Sequence, residues 1–150
     1  MSDNVVSVYN ILIEVCRDGE SGFQEAADVV QQPSLQALLS ELAEQRRQFA
    51  AQLQYEVTKL GKKPENSGSV LGAFHRRWMD VKSAVTGGDA ASIVAECERG
   101  EEMAKRAYLK ALGKAIPEEA RALIKQQFAQ VKAAHKRLRD AGLKTDGMPA

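Results

Sequence analysis

Two glutamates stand where the helical periodicity of this chain would otherwise place apolar side chains. Glu20 lies on the line Ile13, Cys16, Glu20, Phe23, Ala27, and Glu101 on the line Val94, Cys97, Glu101, Ala104, Tyr108. Steps of three and four put each set on one helix face. Both carboxylates should therefore point inward or to the edge of a seam, where an ionised group needs a partner. Each ends the same short motif, Cys-x-x-Gly-Glu, at Cys16–Glu20 and again at Cys97–Glu101, an offset of 81. Both copies fall on the same phase of the apolar stripe, which points to a duplicated helical hairpin. The offset also relates Arg46 to Gln127, and both fill core-phase gaps in their own stripes. A glycine inside a helix costs roughly 1 kcal/mol against alanine, so Gly19 and Gly100 imply close approach of a neighbour. Glu20, Arg46, Glu101 and Gln127 are thus expected to form one polar layer across the middle of a core.

Such a layer supports two kinds of chemistry. Carboxylates converging inside a helical bundle hold a dinuclear metal centre, normally with two Glu-x-x-His pairs. An iron-dependent oxidoreductase on this chain would draw on Glu20 and Glu101 with Glu41, Glu44 or His135. The alternative is a self-satisfied network, in which Arg46 supplies positive charge and Gln127 supplies amide donors. The residue types favour the alternative. Glu44 points away from the stripe and Glu41 only flanks it. The fourth helical pattern has no acidic residue between Glu119 and Asp140, and His135 sits two turns from Gln127. A guanidinium beside the carboxylates also opposes a dication. No metal, cofactor or catalytic set is expected, with iron as the alternative.

Four long helical patterns must position these groups. The first reads Leu12, Cys16, Gly19, Phe23, Ala26, Val30 and stops before Pro33, with Ser34 as the expected cap of the second. The second runs through Leu35, Leu39, Leu42, Phe49, Leu53 and Leu60, with Gly61 as its stop. The third follows Gly87-Gly88-Asp89, Asp89 being the expected cap, through Ile93, Cys97, Gly100, Ala104 and Ala111. The fourth opens at Pro117-Glu118-Glu119, suited to a first turn, and continues through Ile124, Gln127, Val131 and Leu138. Residues 62–88 are too many for a structureless connection, and Val70, Phe74, Trp78, Val81 and Val85 make a further amphipathic stripe. A short fifth helix there carries the chain from one end to the other, so the second and third helices run parallel. The expectation is an all-α four-helix bundle of two antiparallel hairpins over residues 1–141, with a flexible tail at 142–150.

Composition narrows the function classes. Lys+Arg 21 against Asp+Glu 20 gives a formal net charge of +1, so no overall field favours nucleic acid or a membrane. No apolar run approaches the ~20 residues that span a bilayer, and Met1–Asn10 lacks the pattern of a signal peptide; the expected location is cytoplasmic. Cys16 and Cys97 read as small buried hydrophobes. In antiparallel helices that align the two glutamates, they would lie about 12 Å apart, too far for a disulfide. The run Lys132, Lys136, Arg137, Arg139 reads as a solvated face. Phe74, His75, Arg77 and Trp78 on the crossover are the segment best suited to a partner surface.

Together these motifs carry a family resemblance. The stretches Leu12–Gly19, Gly22-Phe23, Ser67-Gly-Ser69, His75-Arg-Arg-Trp78 and Glu96–Glu101 resemble an uncharacterised bacterial four-helix-bundle family, a domain of unknown function in the ferritin-like superfamily. The resemblance covers about residues 4–140 and implies the ferritin-like fold without an established activity. Iron stores, oxidases and rubrerythrin-like peroxidases share that superfamily. By position, Glu20 and Glu101 resemble the lone glutamates of its first and third helices, while Arg46 and Gln127 stand near where its paired ligand motifs fall. The resulting expectation is a non-enzymatic, metal-free bundle acting as a binding or stress-associated protein, homo-oligomeric (a dimer) or partnered with another protein.

Overall fold

The computed structural model describes residues 2–64 and 90–145 of the chain. Four helices carry nearly all of them: α1 (Ser2–Val29), α2 (Pro33–Lys59), α3 (Ala90–Leu112) and α4 (Glu118–Thr145). Strand is absent among the described residues. The expected crossover helix, with Phe74, His75, Arg77 and Trp78, and the expected Asp89 cap lie outside the described residues.

The helix ends follow local chemistry, with two departures from expectation. Pro33 takes the first position of α2, where its missing N–H costs nothing; the cap position is Gln32, whose side chain does not cap the helix N–H groups, and Ser34 is already inside the helix. The carbonyl of Ala27 near the end of α1 instead receives the Gln36 side chain at 3.0 Å. In the second hairpin Arg121 plays the same part, donating to the Leu112 and Lys114 carbonyls at 2.6 and 3.0 Å. At the end of α2, Gly61 adopts φ +75°. Its N–H reaches Thr58 O and that of Lys62 reaches Val57 O, the paired bonds that close a helix through a left-handed glycine. The α4 helix runs on to Thr145, past Gly142, where a flexible tail was expected to begin. There, the glycine permits close packing against α3, since a Cβ on it would lie 2.9 Å from Val94 Cγ1.

Side-chain contacts fix the directions of the helices. Asn4 at the start of α1 donates to the Ala115 carbonyl just beyond α3, so α1 and α3 are antiparallel. Lys59 meets Glu119 and Arg137 meets Glu41, so α2 and α4 are antiparallel as well. Each hairpin is antiparallel within itself, which leaves α2 and α3 parallel, the arrangement that one long crossover demands.

The duplication extends through the core. At the offset of 81, Leu12 matches Ile93, Cys16 matches Cys97, Ala43 matches Ile124, Leu53 matches Ala134 and Val57 matches Leu138, and every one of these is buried. Burial repeats far beyond the five-residue motif because each hairpin presents the same face to the other. No described helix is long and apolar enough to cross a membrane.

Candidate functional site

The polar interior is built differently from the single layer the sequence suggests. Arg46 of α2 and Glu101 of α3 form a two-pronged ion pair, Nη1 to Oε1 at 2.5 Å and Nη2 to Oε2 at 2.6 Å. Their side chains are 1% and 0% exposed. Burial works against the guanidinium charge, but the attraction and hydrogen bonds of Glu101 outweigh it and hold the Arg46 pKa above its usual value. Phe23 of α1 packs its ring 5.3 Å from the guanidinium carbon, so three helices meet at this charge.

Glu20 is the correction. It is 28% exposed and bonds to Arg17 one turn back on its own helix at 2.9 Å. The same arginine reaches Gln54 of α2 at 3.3 Å, which holds the pair at the edge of the α1–α2 seam. An ionised carboxylate remains where water still reaches it unless a fixed cation draws it in. Arg46 has one planar fork, and Glu101 occupies it.

Gln127 belongs to a second network. Its Oε1 accepts the Tyr108 hydroxyl at 2.7 Å, and its amide donates to Gln52 Oε1 at 2.8 Å and to the Phe49 carbonyl at 3.3 Å. Because the Tyr108 proton goes to Gln127, the Cys16 thiol, 3.3 Å from the same oxygen, donates to it. The chain Cys16, Tyr108, Gln127, Gln52 thereby links α1, α3, α4 and α2 in turn. Burial, the largest cause, raises the Tyr108 pKa well above its usual value. Tyr108→Phe keeps the packing but leaves the Gln127 carbonyl and the Cys16 thiol short of a partner. A loss of about 1–3 kcal/mol in urea unfolding is expected; an unchanged midpoint would show that the relay carries no stability.

Both cysteines are free and buried. Burial, the largest cause in each case, raises Cys16 from 9.0 to about 11 and lifts Cys97 further above the same value. The nucleophile is the thiolate, so neither thiol should react with a disulfide reagent at pH 8 until the fold opens. Labelling should follow the unfolding rate, and rapid native modification of either would contradict this packing. A raised folded pKa also makes each thiol's contribution complete below pH 9 and lost as pH rises through the folded value.

The remaining ligand candidates are scattered. Glu41 is exposed and paired with Arg137 of α4. Glu44 is exposed and paired with Arg47 on its own helix, 2.5 Å away; that hydrogen bond, then Gln48, lowers its pKa to about 2. His135 is buried, but on the α3–α4 seam and not beside Glu101. The Lys105 ammonium lies 3.0 Å from its Nδ1, and Glu98 lies 3.5 Å from its Nε2. Glu102 lies 3.6 Å from Nδ1, so these two carboxylates flank opposite edges of the ring instead of converging. Among the described residues no three His, Cys, Asp or Glu side chains are grouped to hold a metal ion.

Sequence reasoning missed two buried carboxylates on α1, Glu14 and Asp18, which are 2% and 7% exposed. The signal was available. Val5, Val6, Val8, Tyr9, Ile11, Leu12, Ile13 and Val15 make the first half of α1 apolar nearly all round, the mark of a helix buried on more than one side. Tyr108 and Cys16 were placed on core faces, but their mutual contact is a matter of helix register, invisible in one sequence.

A parallel central pair, two antiparallel hairpins and a polar interior at mid-height define a ferritin-like four-helix bundle. The fold matches that of a bacterioferritin-related protein from Bacteroides fragilis, described as a dodecameric thioferritin, with TM-score 0.75 at 15% identity over 99% of this chain and 92% of that one. Residues 4–114 match the family model described as a domain of unknown function (DUF2383), and the chain belongs to that family. The sequence finds no match among curated proteins.

Proposed function

We propose that this protein is a metal-free member of the ferritin-like bundles that works by association, in a binding or stress-associated role, as a homo-oligomer and not as an oxidoreductase. The observation that carries the reading is the Arg46–Glu101 pair at 2.5 and 2.6 Å. A dinuclear centre needs carboxylates on facing helices free to share cations. Here the one fully buried glutamate of α3 has both oxygens committed to a guanidinium, and Glu20 has left for the seam. The residues present do not fit a di-iron site. Oligomerisation rests on the shared fold with a protein described as dodecameric.

Aerobic titration of the purified chain with ferrous iron, followed by desalting and metal analysis, tests the first part. Well under one equivalent retained is expected, unchanged in Glu101→Gln. About two equivalents per chain, lost in that variant, would establish the oxidoreductase reading instead. Light scattering tests the second part: a mass well above the 16.4 kDa of one chain is expected, and a monomer at micromolar concentration would remove it.

A further inference from the structure

Away from the polar interior, the seam between α1 and α3 opens into a groove of about 380 Å³ near the α3–α4 turn. That volume falls within the roughly 300–1,000 Å³ of small-molecule sites. Its polarity is graded along its length. Val8, Ile11 and Val15 of α1 face Met103 and Ala107 of α3 as an apolar floor. Asn4, Ser7, Lys110 and Lys114 stand at the end nearest the turn. Ile11 remains 41% exposed there, an unusual position for a large aliphatic side chain with so many apolar neighbours.

Lys110 stands in the last turn of α3 and Lys114 in the turn just beyond it, and both line the groove. Among the described residues neither ammonium has a carboxylate within salt-bridge distance, and no acidic residue lines the groove. From Ser7 to Val15 the floor runs roughly 12 Å at the helical rise. Ten of the described residues line the groove, against the roughly 20–30 a side of a stable protein interface. An apolar trough of limited length with two cations at one end that meet no carboxylate among the described residues suits one class of ligand better than a protein surface.

We propose that this groove binds a single-chain alkyl carboxylate of medium length, its head held by Lys110 and Lys114 and its chain laid along Ile11, Val15, Met103 and Ala107. The site is independent of the proposed metal-free reading, since it shares no residue with the Arg46–Glu101 pair or the Tyr108 relay.

Calorimetric titration of the full chain with decanoate, below the concentration at which decanoate aggregates, tests the proposal. One equivalent per chain is expected, with decanol and decyltrimethylammonium bound at least tenfold more weakly. Lys110→Glu combined with Lys114→Glu, both at exposed positions, should weaken decanoate at least about tenfold, as loss of charge-assisted bonds implies. Ala107→Trp should abolish it by filling the trough, with helicity and melting temperature confirming that each variant is folded. Non-saturating uptake of many equivalents, equal affinity for the cationic analogue, or an unchanged double-lysine variant would overturn the proposal. So would the absence of decanoate binding, whether the chain co-sediments with anionic phospholipid vesicles or Ala107→Trp splits an oligomer into monomers; the groove would then be a membrane contact or a contact between copies.

Discussion

Arg46→Met is expected to lower the unfolding free energy by about 3–5 kcal/mol, because it strands Glu101 as an unpaired charge in a dry interior. Its two oxygens meet the two Nη atoms of Arg46, at 0% exposure. Urea unfolding followed by helicity reads the loss. A change below about 0.5 kcal/mol, the size of an ordinary surface substitution, would mean that the pair is not buried. The double variant Arg46→Met, Glu101→Leu separates the two halves of the argument. Replacing a whole buried ion pair with apolar side chains is often neutral or stabilising, so most of the lost stability should return. A double variant as weak as the single one would mean that Arg46 acts mainly by filling space.

Phe23→Ala should cost a similar amount, about 3–5 kcal/mol, from lost apolar burial and the cavity left behind. Phe23 is 0% exposed, and its ring lies under the Arg46 guanidinium at 5.3 Å. The two variants should also couple. A double-mutant cycle between Phe23→Ala and Arg46→Met is expected to show about 0.5–2 kcal/mol of interaction, the range of a desolvated cation over an aromatic face. Additivity within about 0.3 kcal/mol, as found for independent sites, would show that the ring serves only as packing. Phe23→Leu restores most of the volume without the aromatic face and should fall between the two.

The pair illustrates why the site was half legible. Arg46 and Glu101 each sit at a position where helical periodicity demands an apolar residue, and that is a one-dimensional signal. Glu20 shows the same signal and took a different place. Its phase is set by spacing within α1, but its burial depends on whether a cation stands opposite, and Arg46 faces α3. The duplication misled in the same way. An offset that preserves burial at Cys16 and Cys97 preserves backbone geometry, while the partner at each equivalent position has changed from arginine to glutamine. Equivalent positions therefore need not keep equivalent contacts. Glu41 and Glu44 pair with exposed arginines, and His135 lies on the α3–α4 seam beside Lys105 and Glu98.

The sequence by itself determined the four long helices, most of their ends, the antiparallel hairpins and the parallel central pair. It could do so because proline, glycine and the 3.6-residue period act locally, and because the length of the crossover restricts the topology. It also determined that Arg46, Glu101 and Gln127 would be buried. Only the tertiary structure decided who meets whom: that one glutamate takes the guanidinium and the other the seam, that Tyr108 joins Cys16 to Gln127, and that α1 and α3 part to leave a groove. Those outcomes depend on the rotation and axial register of helices far apart in the chain. A shift of one residue, about 1.5 Å along the axis and a hundred degrees around it, would exchange every partner without altering any local pattern.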